Sequence, residues 1–482
     1  MAVLLSHPDK RMEEIVENRK KITHLPMLEK SLSLHFIGIG GIGMSGLAKV
    51  CLEMGCQISG TDNRENDQTH ELRRMGAHIR TGIHTDLVED AGLAVYSTAV
   101  PVDHPERLRA EELGVPLIRR GTLLALLAAN RKLLGVAGTH GKTTTSSMMA
   151  LGYRSAGLDP TIVVGGYVPE LGGNASLGGD RFLVAETDES DGSFLELDPH
   201  LALVTNVEDD HLEHYGDRQR LQEAFLNFIS AVENPRYRIL CADCPTLMEL
   251  ASNELEGGYV TYGFSEEAHI RGVDIRADST GSSCRVLRGG DTVGHLHIRV
   301  PGRHMLQNAL GVYASGLQLG LSIEKLGYGL SEYRGTRRRF EVLGAWNDAT
   351  LIDDYAHHPT EIRATLQALD QKAEGRRVAV FQPHRYSRLE QLFEEFSACF
   401  ESVDLLIVSE VYSAGEAPRE GINSEALAKK IEGPGQVIYA PGLDEVEVEL
   451  RGRLQPGDTV LFLGAGNINQ VALRLLENKE EA

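Results

Sequence analysis

The chain has no hydrophobic run long enough to cross a membrane, and it contains few cysteines. Its best apolar stretch, residues 123–129, falls far short of the roughly 20 residues that a membrane helix needs, and residues 1–5 are too short for the apolar part of a secretory signal. The six cysteines are scattered and suggest no disulfide framework. The pair Cys241 and Cys244 lacks a second pair to complete a zinc site, so we interpret it as two core or turn thiols. We expect a cytoplasmic protein in a reducing compartment.

Basic residues are scarce relative to acidic ones. The chain of 482 residues has 48 Lys and Arg against 69 Asp and Glu, which gives a formal net charge of −21. Such a charge repels DNA and anionic membranes, so we expect neither nucleic acid nor a membrane as partner. Any bound phosphate must therefore be held by local groups. The hydrophobic share of 42% is ordinary for a globular enzyme, and the length predicts about three domains.

Short apolar runs alternate with amphipathic stretches along most of the chain, which is typical of βαβ units and parallel sheets. The pattern predicts an α/β protein with three α/β domains. These are a Rossmann-like domain in residues 1–120, a P-loop ATPase-like domain in residues 121–335 and a second Rossmann-like domain in residues 336–482. Residues 259–300 alternate differently and predict a small antiparallel annex of the central domain. An exposed charged helix is expected in residues 1–30.

The most informative segment is Gly138-Thr-His-Gly-Lys-Thr-Thr-Thr145, which follows an apolar run and precedes a helical stretch. A strand, a glycine turn, a lysine and hydroxyls at a helix start form a phosphate cradle, in which backbone N–H groups face the anion. We expect Lys142 to reach the outer phosphate oxygens and the Thr143 hydroxyl to bind Mg²⁺. The common P-loop has a glycine where this chain has Val136. The strand–turn–helix context still favours a nucleoside triphosphate site over a chance match.

A second glycine pattern, Gly38-Ile-Gly-Gly-Ile-Gly43, lies between a strand and a helix, and Asp62 follows at the end of the next strand. This spacing is typical of dinucleotide-binding domains, in which the acidic residue binds a ribose. The glycines indicate only that a backbone approaches a diphosphate, which a nucleotide sugar such as a UDP derivative also carries. Close packing of the helix on the strand would need the same glycines. The residues alone leave these three interpretations open.

Acidic and polar residues follow two predicted strands of the central domain. Glu186-Thr-Asp-Glu-Ser-Asp191 comes after residues 182–185, and Asn206-Val-Glu-Asp-Asp-His211 comes after residues 201–205. A carboxylate at the carboxyl end of a strand beside a P-loop is where a Mg²⁺ ligand belongs. Glu186 is therefore one candidate ligand and His211 is a second. The alternative is a solvated acidic loop.

Polar segments also follow strands of the third domain. They are Asp353-Asp-Tyr-Ala-His-His-Pro359, Gln382-Pro-His-Arg-Tyr-Ser-Arg388 and Gly464-Ala-Gly466. Arg385 and Arg388 are three residues apart and form a fork suited to a carboxylate or a phosphate. A surface ion pair with one of the many nearby acids is the alternative.

Together these motifs resemble those of the Mur ligases, and the resemblance spans nearly the whole chain. The segments that carry it stand in family order: Gly38-Ile-Gly-Gly-Ile-Gly-Met-Ser-Gly46, Gly138 to Thr145, Thr205-Asn-Val-Glu-Asp-Asp-His211, Asp353 to Pro359 and Phe381 to Arg388. The resemblance implies an ATP-dependent ligase of peptidoglycan precursor synthesis with UDP-N-acetylmuramate and L-alanine as substrates. It is compatible with a monomer or a homodimer.

The resemblance also implies roles for individual residues. The UDP-sugar would be bound by Gly40, Gly41, Gly43 and Asp62. ATP would be bound by Gly138, Thr139, His140, Gly141, Lys142, Thr143 and Thr144, with His304 and Asn308 at the adenine and Arg339 at the link to the third domain. Thr143 and Glu186 would hold one Mg²⁺ and His211 a second, with Mn²⁺ as a substitute. The catalytic residues would be Lys142, His211, His357, Arg385 and Arg388, the last three around the amino acid beside Tyr355.

In the implied reaction, the lactyl carboxylate attacks the γ-phosphate of ATP to give an acyl phosphate, which the amine of L-alanine attacks through a tetrahedral intermediate. Several sister ligases have a carbamylated lysine shortly after the metal histidine, whereas residues 212–234 contain no lysine. That absence fits the branch that adds L-alanine. Ala356 stands where close relatives are expected to have glycine. The rival hypotheses are a sister ligase that adds a preformed tripeptide, an NAD-dependent oxidoreductase and a non-catalytic nucleotide-binding switch.

Overall fold

A computed structural model describes residues 28, 30–210, 212–278 and 280–477. The predicted charged helix of residues 1–30 falls almost entirely outside these residues, and so does the candidate ligand His211. Within the described part, the strands form three sheets. The first sheet and the strands around the P-loop belong to one compact unit, and the third sheet belongs to another. No helix among the described residues combines the length and the apolar character needed to span a bilayer.

The first sheet has five parallel strands in the order β3-β2-β1-β4-β5. The strands are β1 Ser33–Ile37, β2 Gln57–Asp62, β3 His78–Thr81, β4 Leu93–Tyr96 and β5 Leu117–Arg119, and the helices are α1 Ile42–Glu53, α2 Asp67–Arg74 and α3 Pro105–Leu113. This order confirms the predicted Rossmann-like arrangement. Because the chain crosses to opposite sides of β1, the loop between β1 and α1 lies at the switch point, where open α/β sheets bind ligands.

The central sheet has ten strands in the order β15-β14-β13-β12-β11-β10-β6-β9-β7-β8. The strands are β6 Lys132–Ala137, β7 Thr161–Val168, β8 Gly173–Ser176, β9 Phe182–Glu186, β10 Pro199–Val204, β11 Arg238–Cys241, β12 Val260–Gly263, β13 Ile270–Asp278, β14 Gly281–Arg288 and β15 Asp291–Ile298. The helices are α4 Arg120–Ala128, α5 Lys142–Ser155, α6 Leu212–Tyr215, α7 Arg218–Ser230, α8 Pro245–Glu254, α9 Arg303–Leu319 and α10 Ile323–Ser331. The P-loop strand β6 is therefore central, and buried apolar residues fill its interior positions.

The segment predicted as an antiparallel annex is continuous with this sheet. Its strands β12 to β15 extend the sheet beyond β11, and β12 pairs with β13 in parallel through Tyr262 with Ile270 and Gly263 with Arg271. The alternation of side chains in residues 259–300 therefore identified strands correctly. It could not show which edge they would join, because the side-chain period is the same in parallel and antiparallel pairs.

The third sheet has six strands in the order β16-β17-β21-β18-β19-β20. The strands are β16 Glu341–Trp346, β17 Ala349–Asp354, β18 Arg377–Phe381, β19 Leu405–Val408, β20 Gln436–Tyr439 and β21 Thr459–Leu463. The helices are α11 Pro359–Lys372, α12 Tyr386–Gln391, α13 Phe393–Ser397, α14 Ser424–Lys430, α15 Leu443–Arg453 and α16 Asn469–Glu477. Only the edge pair β16–β17 is antiparallel among the described pairings of this sheet. Asn347 and Asp348 between these two strands both have positive φ, which suits a tight hairpin turn.

Candidate active site

The P-loop begins where β6 ends, and the segments that follow β9 and β10 flank it. Strand β6 pairs in parallel with both neighbours, with Val136 opposite Glu186 and Ala137 opposite Val204. Because parallel strands end at the same edge of a sheet, Glu186 and Thr205 emerge beside Gly138. This confirms the prediction that both polar segments share the sheet edge of the P-loop.

The two glycines of the P-loop adopt conformations that other residues avoid. Gly138 has φ 135° and Gly141 has φ 81°. A Cβ on Gly138 would lie 2.1 Å from Thr205 Oγ1, and a Cβ on Gly141 would lie 3.1 Å from Asn308 Oδ1. Gly141 also caps helix α5, so the unpaired N–H groups of the first helical turn face the loop. The predicted adenine contact Asn308 therefore lies against the P-loop.

Uncharged groups of the segment after β10 hold the P-loop backbone in place. The Asn206 side chain accepts a hydrogen bond from His140 N at 2.8 Å and donates one to His140 O at 3.1 Å. Thr205 Oγ1 also donates to His140 O at 2.6 Å, and Glu208 N donates to Thr139 Oγ1 at 2.9 Å. These four hydrogen bonds fix the predicted ATP-binding residues Thr139 and His140 through neutral donors and acceptors.

The P-loop lysine is folded back onto its own loop. Lys142 Nζ donates to two loop carbonyls at 2.6 and 3.1 Å and to Glu189 Oε1 at 2.7 Å. Burial acts to lower the pKa of Lys142, but the carboxylates of Glu189, Asp188 and Glu186 raise it above its ordinary value. The ammonium group therefore stays protonated. Because its three N–H donors all have partners, a phosphate oxygen has to replace at least one of these partners to bind the ammonium group.

Two of the predicted metal ligands suit Mg²⁺. Thr143 lies in the first turn of α5 and is buried, and its hydroxyl has no hydrogen-bond partner within the described residues. Glu186 Oε2 accepts a hydrogen bond from Gly165 N at 2.9 Å. Its second carboxylate oxygen makes no hydrogen bond in the part of the chain that the structure describes. Hydroxyl and carboxylate oxygens are the hard ligands that Mg²⁺ prefers, so Thr143 and Glu186 fit the ion. His211 lies outside the described residues.

The first glycine loop is held by acidic and amide side chains. Asp62 Oδ2 accepts a hydrogen bond from Gly40 N at 2.8 Å, and Asn66 Nδ2 donates to Gly40 O at 3.0 Å. Asn66 also caps α2 in a reciprocal capping box with Thr69. The Asp62 carboxylate, predicted to lie near the UDP-sugar, thus positions the loop backbone. Sequence reasoning missed Asn66, although an Asn three residues before a Thr at a helix start is a recognisable capping pattern.

Arg120, to which the sequence assigned no role, lies between the first glycine loop and the segment that follows β9. Arg120 begins helix α4, and a Cβ built on Gly43 would lie 3.0 Å from its Nη1 atom. Its Nη2 atom donates to Asp188 Oδ2 at 2.9 Å. Burial acts to raise the pKa of Asp188, but Arg120 and Lys142 lower it to about 2. The Asp188 carboxylate is therefore ionised between the cations of the two loops.

In the third domain, histidine rings connect two of the predicted amino-acid contacts. The ring of His357 lies 5.8 Å from the ring of His384, whose Nδ1 accepts a hydrogen bond from Arg388 Nη1 at 3.3 Å. The ring of Tyr355 packs edge-on against His357 at 5.4 Å. Arg385 has φ 69°, a strained conformation for a residue with a side chain. The structure therefore brings His357 and Arg388 together through His384, a residue of the predicted motif to which no role had been assigned.

Glu361 is a second residue to which the sequence assigned no role. It lies between Arg339, a predicted ATP contact, and His357, a predicted amino-acid contact. Its carboxylate lies 3.7 Å from Arg339 Nη1 and 3.4 Å from His357 Nδ1, and it accepts a hydrogen bond from His357 N at 3.0 Å. Burial lowers the pKa of the nearby His304 to about 4, against the opposing effect of Glu361. The His304 imidazole is therefore neutral near pH 7, which suits its predicted contact with the uncharged adenine ring. Glu361 follows Pro359 in the first turn of α11, a position that favours acids at a helix start.

The geometry agrees with what comparison with known proteins finds. Three family models match the chain in succession: the Mur ligase family catalytic domain at residues 33–132, the Mur ligase middle domain at residues 136–316 and the Mur ligase glutamate ligase domain at residues 338–466. The three matches follow one another in the same order as the three sheets.

Individual relatives match over almost their whole length. The UDP-N-acetylmuramate–L-alanine ligase of Desulforamulus reducens is 43% identical over 458 residues, which is 94% of this chain and 99% of the relative. The ligase of the same name from Gloeobacter violaceus is 44% identical over 453 residues, or 92% and 96% of the two chains. The solved structure of UDP-N-acetylmuramate-alanine ligase from Thermotoga maritima is 29% identical, with a TM-score of 0.80 over 93% of this chain and 99% of that one.

Proposed function

The chain belongs to the Mur ligase family, and we propose that it joins L-alanine to the lactyl carboxylate of UDP-N-acetylmuramate while ATP is converted to ADP and phosphate. The observation that carries this proposal is the near-complete coverage of relatives that bear this activity in their names, at 43% and 44% identity. The half-buried Lys142 beside three carboxylates supports the proposal that the phosphates of ATP bind at the P-loop. The product would be a precursor of peptidoglycan.

We assign the binding of each of the three substrates to a different domain. Residues 1–120 would bind the UDP-sugar, with the backbone of Gly40, Gly41 and Gly43 at the diphosphate. Residues 121–335 would bind ATP, and residues 336–482 would bind L-alanine. The loop at the switch point of the first sheet and the N-terminus of α5 support the first two assignments, because each leads into a helix whose first-turn N–H groups can bind an anion.

The first chemical step is transfer of the γ-phosphoryl group to the lactyl carboxylate. A carboxylate oxygen attacks phosphorus, the bond to the β-phosphate oxygen breaks, and ADP leaves with the electron pair. The Lys142 ammonium exchanges Glu189 for phosphate oxygens and neutralises the charge that grows on the leaving group. When bound at Thr143, Glu186 and His211, Mg²⁺ would neutralise further phosphate charge; we propose two ions, with Mn²⁺ as a substitute.

The second step is attack of the neutral amine of L-alanine on the acyl phosphate. The nitrogen adds to the carbonyl carbon to give a tetrahedral oxyanion and loses a proton to solvent, and expulsion of phosphate with the electron pair of the C–O bond then leaves the amide. Arg385 and Arg388 would hold the carboxylate of L-alanine, with His357 beside them. The hydrogen bond from Arg388 to His384 and the packing of His384 against His357 support a shared site for these side chains. The protein would act in the cytoplasm as a monomer or a homodimer.

Phosphate release in the presence of ATP and Mg²⁺ tests this proposal. We expect rapid release only when UDP-N-acetylmuramate and L-alanine are both present, because the amine must resolve the acyl phosphate. UDP-N-acetylglucosamine, which lacks the lactyl carboxylate, is the matched control and should give no release above background. Release that requires a preformed tripeptide in place of L-alanine would assign the chain to a sister reaction and overturn the proposal.

A further inference from the structure

We propose that Arg120 binds the lactyl carboxylate of UDP-N-acetylmuramate and positions it for attack on the γ-phosphate. This inference rests on the proposed function and adds a residue that decides which sugar nucleotide is accepted. Arg120 lies outside the five short motifs that carry the resemblance, and it begins a helix in the stretch between the first and second glycine loops.

The location of Arg120 is the first argument. Its guanidinium lies directly against Gly43 in the first turn of α1, and it donates to Asp188, which follows β9 at the sheet edge of the P-loop. The diphosphate would bind at one side of Arg120 and the γ-phosphate at the other. The carboxylate that joins these two ligands during the reaction must lie between them, which is where Arg120 is found.

The unused hydrogen-bonding capacity of Arg120 is the second argument. Nη2 donates to Asp188, whereas Nε and Nη1 make no hydrogen bond with any described residue. The side chain is 23% exposed, so a ligand has access to it. A planar guanidinium with free donors binds a carboxylate through two parallel hydrogen bonds. Lys142, by contrast, has partners for all three of its donors.

The charge balance is the third argument. The first glycine loop is held by the anionic Asp62 and contains no cation of its own, although it has to bind a ligand with several negative charges. Arg120 supplies a positive charge at this loop.

Binding of two sugar nucleotides to the Arg120→Ala variant tests the inference. Titration calorimetry without ATP would compare UDP-N-acetylmuramate with UDP-N-acetylglucosamine, which carries the same diphosphate but no lactyl carboxylate. We expect the Kd for UDP-N-acetylmuramate to rise about 10- to 100-fold, as for loss of a charge-assisted hydrogen bond. The Kd for UDP-N-acetylglucosamine should change by less than about twofold. Equal weakening of both ligands, or no weakening of either, would overturn the inference.

Two further variants separate recognition from structure. Arg119→Ala is the matched control, because Arg119 bonds to Glu196 at 2.6 Å in the same region and does not contact Gly43; it should not alter the ratio of the two Kd values. Arg120→Lys keeps the positive charge but loses the two parallel N–H donors of the guanidinium. The Kd for UDP-N-acetylmuramate should therefore rise by less than in Arg120→Ala, again with little change for UDP-N-acetylglucosamine. If the wild-type protein fails to release phosphate with UDP-N-acetylmuramate and L-alanine, the proposed function fails. If it succeeds and the ratio is unchanged in both Arg120 variants, only this inference fails.

Discussion

The two glycine loops of this chain have the same local plan, yet their surroundings differ. Each follows a central parallel strand and leads into a helix. The first is held by an anion, since the Asp62 carboxylate accepts a hydrogen bond from Gly40 N. The second is held by the neutral side chains of Asn206 and Thr205, and it carries a lysine of its own. The same backbone arrangement is thus held by different chemical groups in the two loops.

This difference in surroundings bears on which ligand each glycine loop is proposed to bind. Glycines allow a backbone to approach a phosphate, but they do not determine how many charges the site accepts or which group lies next to it. At the P-loop, that charge is set by Lys142, which begins the helix that follows the loop, together with three carboxylates from the segment that ends and follows β9. In the first loop the nearest cation, Arg120, comes from a helix far along the sequence. Four predictions test this contrast, in order of decreasing effect.

The largest effect is expected from Lys142→Ala. Loss of the ammonium group should lower turnover by about 10³-fold, because it removes a charge that stabilises the transferring phosphoryl group. The Kd for UDP-N-acetylmuramate should stay near the wild-type value, since the first loop does not use Lys142. Phosphate release and calorimetry measure the two quantities. Lys132→Ala is the control, because Lys132 is an exposed lysine at the start of β6, the strand that leads into the P-loop; equal losses in both variants would contradict the assignment.

A smaller effect is expected when glycines of the two loops are compared. Gly138→Ala places a Cβ 2.1 Å from Thr205 Oγ1 at φ 135°, so the loop must distort and the unfolding midpoint should fall by several degrees. In Gly41→Ala the nearest atom lies 3.7 Å away and φ is −64°, so the midpoint should hardly change. Thermal unfolding followed by circular dichroism measures both. Equal midpoints for the two variants would show that the P-loop is less rigid than its contacts indicate.

A further, smaller effect concerns the side chains that hold each loop. Asp62→Ala should weaken UDP-N-acetylmuramate about tenfold and leave ATP binding unchanged, because one hydrogen bond to the first loop is lost. Asn206→Ala should weaken ATP binding and leave UDP-N-acetylmuramate binding unchanged, because both side-chain hydrogen bonds of Asn206 go to His140. Fluorescence titration of each ligand gives the four affinities. Loss of both ligands in either variant would mean that the loops are not held independently.

The smallest effect concerns pH. The pKa of Lys142 is raised in the folded protein, so the stability that its pair with Glu189 contributes is fully present below the ordinary lysine pKa of 10.5 and is lost only as pH rises through the raised value. The difference in unfolding free energy between the wild type and Glu189→Gln should therefore be the same at about pH 7 and about pH 9.5. Denaturant unfolding at both pH values measures it. A difference that shrinks at the higher pH would show that Lys142 already titrates there.

Much of the site was predictable because its signals are local. Strand, glycine turn and helix follow one another within a few residues at Gly138, and polar residues directly follow the strands that end at Glu186 and Val204. Other contacts could not be predicted in the same way. Glu189 meets Lys142 across 47 positions, and Arg120 meets Asp188 across 68. The periodicity of a sequence does not indicate contacts between residues so far apart along the chain.

The sequence by itself determined the three α/β domains, the phosphate loop with its lysine and the order of the polar segments that end the strands. Each of these depends on residues that are neighbours along the chain, where propensity and hydrophobic period act directly. Only the tertiary structure decided which side chains hold the loops and which cation serves the first of them. Those contacts depend on the order of strands in the sheets, because strand order brings distant segments such as those of Arg120 and Asp188 within hydrogen-bonding distance.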